Sequence, residues 1–151
     1  MNPEGMTMGQ ADFENIQVGD TIPERDFGPL TILDTVCWAG FQENSAQLHF
    51  DREHARSHSG LRSFIASGEY RQALLMRMLT DWLGPRGMIR KLNLRQTYPT
   101  YEGDVMRFSA KVVDKSSSAS DPWINCELIG KNQEDRQILT GRCTLKLLSA
   151  S

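Results

Sequence analysis

Apolar residues recur at helical spacing through the first half of the chain and at alternate positions through the second, so the pattern predicts helices followed by a β-meander. The first ordered piece is Phe13 to Val18, closed by the turn pair Gly19-Asp20 and followed by an extended stretch from Thr21 to Phe27. Thr31 and Asp34 stand three apart, the spacing of a capping box, and Leu33, Val36, Cys37 and Gly40-Phe41 then follow as one helical face. Glu43 to Phe50 reads as a loop, after which Asp51 caps a short helix through His54 and Ala55. Leu61 to Ala66 is irregular. From Ser67-Gly68 to Leu83 runs the longest helix, with Tyr70, Leu74, Leu75, Met78, Leu79, Trp82 and Leu83 on its apolar face and Arg71, Gln72, Arg77 and Asp81 elsewhere. At 1.5 Å per residue it is roughly 24 Å long, enough to cross a small sheet. Gly84-Pro85 and Gly87 end it.

Four period-2 stretches follow: Met88 to Tyr98, Val105 to Asp114, Trp123 to Lys131 and Arg136 to Leu148. Turn-forming segments separate them, at Tyr101 to Asp104, Ser116 to Ser120 and Asn132 to Asp135. One long helix ahead of an antiparallel meander predicts an α+β fold and excludes alternating βαβ units.

Composition narrows the class further. The 151 residues suit one domain, expected over 12–148, with residues 1–11 as a disordered tail. With 39% hydrophobic and 24% charged residues, fibrous and broadly disordered readings are excluded. A net charge of -2, without any basic run, argues against a nucleic-acid partner. No apolar stretch reaches the roughly 20 residues of a membrane span, and the first residues lack signal-peptide character. Cys37, Cys126 and Cys143 are odd in number and widely spaced, so they are expected as reduced thiols in a cytoplasmic protein, with Cys37 in the core.

The most informative segment is Phe41-Gln-Glu-Asn-Ser-Ala-Gln-Leu-His-Phe-Asp51, which places Asn44 five residues before His49. Here the chain resembles the MaoC-like (R)-specific enoyl-CoA hydratase and 3-hydroxyacyl dehydratase family. That family's motif runs Asp-x-Asn-Pro-Leu/Ile-His-x-Asp. A branch that includes the mesaconyl-CoA hydratases carries Glu-Asn-Trp-His-Arg-Ile-His-Tyr-Asp, which Glu43, Asn44, His49 and Asp51 match. Ser45, Ala46 and Gln47 depart from it. Three further segments agree in order. Phe13 to Asp20 resembles the opening Phe-x-x-x-x-Val-Gly-Asp, Ile65-Ala-Ser-Gly68 the Ile-Ala-His-Gly before the central helix, and Tyr98 to Asp104 the Pro-Val-x-x-Gly-Asp turn.

The resemblance implies a single hot-dog fold, a curved antiparallel sheet wrapped around one long central helix. It implies addition or removal of water across C2–C3 of an acyl thioester. Such chemistry needs a base near neutral pH, and imidazole is the side chain suited to it. His49 is expected as general base and acid, Asn44 as the group that orients water, and the Gly68 N–H as donor to the thioester oxygen. Ser67, Ile65 and Tyr70 are expected beside the substrate. Asn44 stands where the family usually has Asp and cannot ionise, so both proton transfers fall to His49. No metal or resident cofactor is implied; coenzyme A or an acyl carrier protein arrives as part of the substrate. A homodimer or heterodimer of hot-dog domains is expected, because a lone sheet leaves an open edge.

Two rival readings share this fold: a non-catalytic acyl-binding or scaffold subunit of a heteromeric complex, and a thioesterase. Beside each candidate stands a plainer role. Asp51 and Ser67 suit helix caps, His54 and His58 are spaced for a metal but lack a third ligand, and Met76, Met78 and Trp82 suit the core. Arg62, Arg90, Lys91 and Arg95 read as scattered surface charge.

Overall fold

The computed structural model describes residues 11–118 and 120–147; of the tail expected over 1–11 only Ala11 is described, packed partly buried against the core, and Leu148 lies outside the described residues. Five strands, β1 (Thr21–Phe27), β2 (Gly87–Gln96), β3 (Met106–Lys115), β4 (Trp123–Lys131) and β5 (Gln137–Leu147), form one sheet in the order β1-β3-β4-β5-β2. Every neighbouring pair is antiparallel, and each of the four ladders contains a register shift. Such bulges bend a strand and increase its twist, which curves the sheet.

The period-2 stretches do what alternation requires. Met106, Phe108, Ala110 and Val112 of β3 and Ile124, Cys126 and Leu128 of β4 are buried, while intervening residues face outward. Against that inner face lies the long helix, α3 (Gly68–Leu83), burying Leu75, Met78, Leu79 and Leu83. Its bounds follow from local chemistry. The Ser67 hydroxyl accepts the Tyr70 N–H at 3.1 Å, and Gly84 ends it at φ +68°. Before it come α1 (Ile32–Phe41) and α2 (Arg52–Ser59). Both halves of the Thr31/Asp34 capping box are present, and Asp51 caps α2 by accepting the His54 N–H at 2.9 Å. Among the described residues no helix is long and apolar enough to cross a membrane.

Two expectations are overturned by packing. Leu33, Val36, Cys37 and Phe41 do not face the core; Phe41 is 79% exposed, Leu33 67%, and Cys37 is also exposed. α1 is apolar almost all round, so periodicity cannot tell which side is inside. Its buried side is Thr35 and Ala39, with Trp38 set edge-on against Tyr70 at 5.6 Å. The second correction is Arg71, read as lying off the apolar face of α3. It is 5% exposed, on the same face as Leu75 and Met78. Positions 71, 75 and 78 are one helical row, and tertiary closure buried the whole row.

Candidate active site

The segment that carries Asn44 and His49 is shaped by backbone geometry before any chemistry enters. Beyond α1, Glu43 takes a left-handed conformation at φ +53°, turning the chain back so that the Asn44 N–H reaches the Ala39 carbonyl at 2.9 Å. The Asn44 side-chain oxygen then accepts the Ala46 N–H at 2.9 Å, an Asx turn that leaves its NH2 end for other partners. Gln47–His49 form one 3₁₀ turn, with the His49 N–H bonded to the Ala46 carbonyl at 3.1 Å. Asn44 and His49 are thus held from opposite sides of Ala46.

His49 Nδ1 lies 2.9 Å from the Ile65 carbonyl oxygen. A carbonyl only accepts, so Nδ1 carries the proton and Nε2 presents a lone pair. That tautomer is the one a general base needs. The anchor is itself held. Ile65 donates its N–H to the Leu48 carbonyl at 3.2 Å and bridges Tyr101, and Ala66 donates to the Thr100 carbonyl at 2.9 Å. Two residues on, the buried Ser67 caps α3 and Gly68 takes its first helical position. The N–H groups of a first helical turn have no partner within the helix, and the helix dipole favours negative charge there. A Cβ added at Gly68 would meet only the Gln96 side chain, at 3.6 Å. Nothing in the chain itself demands glycine there.

The expected residues therefore fall into two groups joined by the Ile65–Ser67 strap: Asn44 and His49 on one side, Gly68 and Tyr70 on the other. Asn44 also lines a recess of ≈ 340 Å³ with Val36, Ala39, Gly40, Glu43, Ser45 and Phe50. His49 and Gly68 do not line it. Tyr70 packs on Trp38, and burial pushes its phenol pKa up, with Asp34 adding to the rise. Another recess, ≈ 700 Å³, lies over β2–β5 and is lined by none of the expected site residues. His54 and His58 stack at 4.4 Å on α2, and among the described residues no cluster of three or more His, Cys, Asp or Glu is placed to hold a metal. Arg62 lies over the Tyr101 ring at 4.3 Å.

Sequence reasoning missed the residues that support the strap. Arg71 donates to the Tyr98 carbonyl at 2.7 Å, and burial lowers its pKa to about 10. The one available signal was its place in the row with Leu75 and Met78. Arg52 of α2 donates from Nε to Glu102 at 2.8 Å, and Ser63 adds a bond to the same carboxylate at 3.1 Å. No sequence pattern announces that fifty-residue link. The Arg52 hydrogen bond holds the Glu102 pKa below its ordinary 4.5. A carboxyl depressed on folding stabilises above its unfolded pKa and loses that contribution as pH falls through the folded value. The difference in Tm between the native chain and Glu102→Gln is therefore expected to be widest near neutral pH and to close in acid. A pH series of thermal melts checks it, and a gap that persists below the depressed value contradicts it.

Known proteins place this geometry in a fold. No family model matches the chain. Over 118 residues it is 29% identical to the 3-oxo-4,17-pregnadiene-20-carboxyl-CoA hydratase beta subunit of Mycobacterium tuberculosis, spanning 76% of this chain and 84% of that protein. Its structure is similar to the unliganded R-hydratase PhaJ1 of Pseudomonas aeruginosa, with a TM-score of 0.80 and 20% identity over 91% of this chain and 86% of that one. It is also similar to a chain of the ChsH1-ChsH2 complex of Mycobacterium tuberculosis, with a TM-score of 0.76 and 24% identity over 87% and 98%. The fold is the hot dog, in the form seen in MaoC-like hydratases and dehydratases.

Proposed function

We propose that this chain adds water to, or removes it from, the C2–C3 bond of an acyl thioester, interconverting enoyl and 3-hydroxyacyl forms. The observation that carries the reading is His49 Nδ1 bonded to the Ile65 carbonyl, three residues before the N-terminus of the central helix. In the hydration direction Nε2 takes a proton from water as the oxygen attacks C3. The C2–C3 π electrons shift toward the thioester carbonyl, and the charge on its oxygen is met by the Gly68 N–H and the α3 dipole. The imidazolium then returns its proton to C2. Asn44, unable to ionise, orients the water through its free NH2 end. No electrons are gained or lost, so the step calls for no redox group; the carrier, coenzyme A or an acyl carrier protein, enters as part of the thioester substrate.

The hydratase beta subunit and the two-chain complex among the similar proteins favour an assembly of more than one hot-dog domain. β2 is an edge strand, and its inward Ile89, Leu92 and Leu94 are only half covered. A second chain along this edge would cover them. A silent chain partnered by an active one is the alternative that the same two relatives support.

The test is loss of the conjugated enoyl absorbance on incubating the purified chain with enoyl-CoA esters of several lengths. Turnover by the chain alone supports the reading; no turnover alone, but turnover with a second hot-dog subunit whose own histidine is required, supports the silent alternative. Asn44→Ala removes both the Asx turn and the water contact. A displacement of about 1 Å costs on the order of 10²-fold in rate, and a loss of that size in kcat is expected. Native-like kcat in Asn44→Ala would remove Asn44 from the mechanism.

A further inference from the structure

Arg71 is the anomaly of the core. A buried cation normally has a carboxylate partner, yet among the described residues Arg71 makes no ion pair, and its Nε has no hydrogen-bond partner. Its Nη1 reaches two neutral acceptors, the carbonyls of Tyr98 at 2.7 Å and Ile138 at 3.5 Å. Glu69, the acid whose charge it feels, is exposed at the surface. Burying such a charge without a carboxylate is costly; a methionine in the same row would fill the space without that cost and would lose only the bonds to the Tyr98 and Ile138 carbonyls.

The position of the charge suggests what it does. Helical side chains lean toward the N-terminus of their helix, so the Arg71 guanidinium lies over the turn that holds Ser67 and Gly68. The peptide it grips begins the Tyr98–Tyr101 segment. Thr100 of that segment accepts the Ala66 N–H, Tyr101 bridges Ile65, and the Ile65 carbonyl anchors His49. One side chain is thus linked to the His49 half indirectly, through the bonds of the Tyr98–Tyr101 segment, and stands within reach of the Gly68 half only through its field.

We infer that Arg71 is a positioning residue that holds the strap anchoring His49 and adds an uncompensated positive charge behind the oxyanion end of α3. The inference rests on the hydratase reading above. In a weakly screened interior a unit charge about a turn away changes the energy of a developing anion enough for roughly tenfold to hundredfold in rate. The field acts on the charge that develops in the reaction and not on the neutral ground state, so kcat carries the effect and KM does not.

The experiment compares the full-length native chain with Arg71→Met, Arg71→Lys and Arg71→Gln, measuring hydration of crotonyl-CoA and trans-2-octenoyl-CoA and thermal melting. Arg71→Met is expected to lose about 10- to 100-fold in kcat, with KM within about twofold and Tm no lower than native. Relief of the unpaired buried charge offsets the loss of the bonds to Tyr98 and Ile138, whereas a purely structural residue would lose Tm and rate together. Arg71→Lys, which keeps the charge, is expected to recover most of the rate. Arg71→Gln, which can keep a hydrogen bond to Tyr98 but not the charge, is expected to fall between Arg71→Met and Arg71→Lys, its gap from Met reading the strap and its gap from Lys the field. Native kcat in Arg71→Met or Arg71→Gln overturns the inference, as does equal loss in the Met and Lys variants accompanied by a lower Tm. A native chain inert on both esters, alone and with a second hot-dog subunit, overturns the hydratase reading and the inference with it; a loss confined to the variants of an active native chain tells the two failures apart.

Discussion

Replacing His49 by alanine is expected to lower kcat for enoyl-CoA hydration by about a thousandfold, with KM little changed. General acid–base groups contribute on the order of 10²–10⁴ in rate, and here one imidazole is assigned both proton transfers because Asn44 cannot ionise. A thousandfold corresponds to about 4 kcal/mol of barrier. Alanine also strips the Ile65 carbonyl of its donor, so a second variant separates chemistry from anchoring. In His49→Asn the side-chain NH2 can occupy the place of Nδ1–H and still donate to Ile65, 2.9 Å from the ring nitrogen it replaces. It offers no base. Both variants should lose the same large factor, while His49→Asn keeps a native Tm. Retention of more than a tenth of the native rate by His49→Asn would remove His49 from proton transfer and leave it as a strut.

Phe108→Ala is expected to destabilise the chain by about 3–5 kcal/mol, as large-to-small changes at buried aromatics do. For a chain of this size that lowers Tm by on the order of 10 °C. Phe108 is fully buried on β3, with its ring 5.8 Å from that of Phe27. The cavity cannot easily collapse, because the paired strands on either side fix the backbone. Gly130 of β4, paired with Phe108, supplies the internal check. A Cβ at Gly130 would come within 2.9 Å of the Phe108 ring and 2.7 Å of Leu139 Cγ. Gly130→Ala should therefore destabilise the native chain clearly and the Phe108→Ala chain less, the remaining cost being the contact with Leu139. Denaturant melts of the two single variants and the double variant measure that coupling. Simple additivity would mean that glycine is not there to make room for the ring.

Much of this architecture was legible in local patterns, and particular residues show why. The Thr31/Asp34, Asp51 and Ser67 caps are read from a few neighbours, and they close within one helical turn. The four β stretches are read from alternation, which depends only on which face meets the core. The region of the candidate site was legible too, since Asn44, His49 and Ile65 to Gly68 lie in two short segments whose spacing resembles a known motif. The side chains that support it were not. Arg52 and Glu102 meet across fifty residues, and Tyr98 and Thr100 support the strap only because β2 ends beside the start of α3.

The chain's own pattern determined the α+β order of elements, the bounds of the central helix and the segment that bears the histidine, because each depends on contacts within a few residues. Three things waited for the tertiary structure. The outward face of α1 was chosen by what already filled the core, with Leu33 and Phe41 left in solvent. The protonated nitrogen of His49 was chosen by a carbonyl sixteen residues away. The burial of Arg71 was decided when the sheet closed over its row. Each of these is a pairing between distant parts of the chain, and no local period or spacing encodes which distant group arrives.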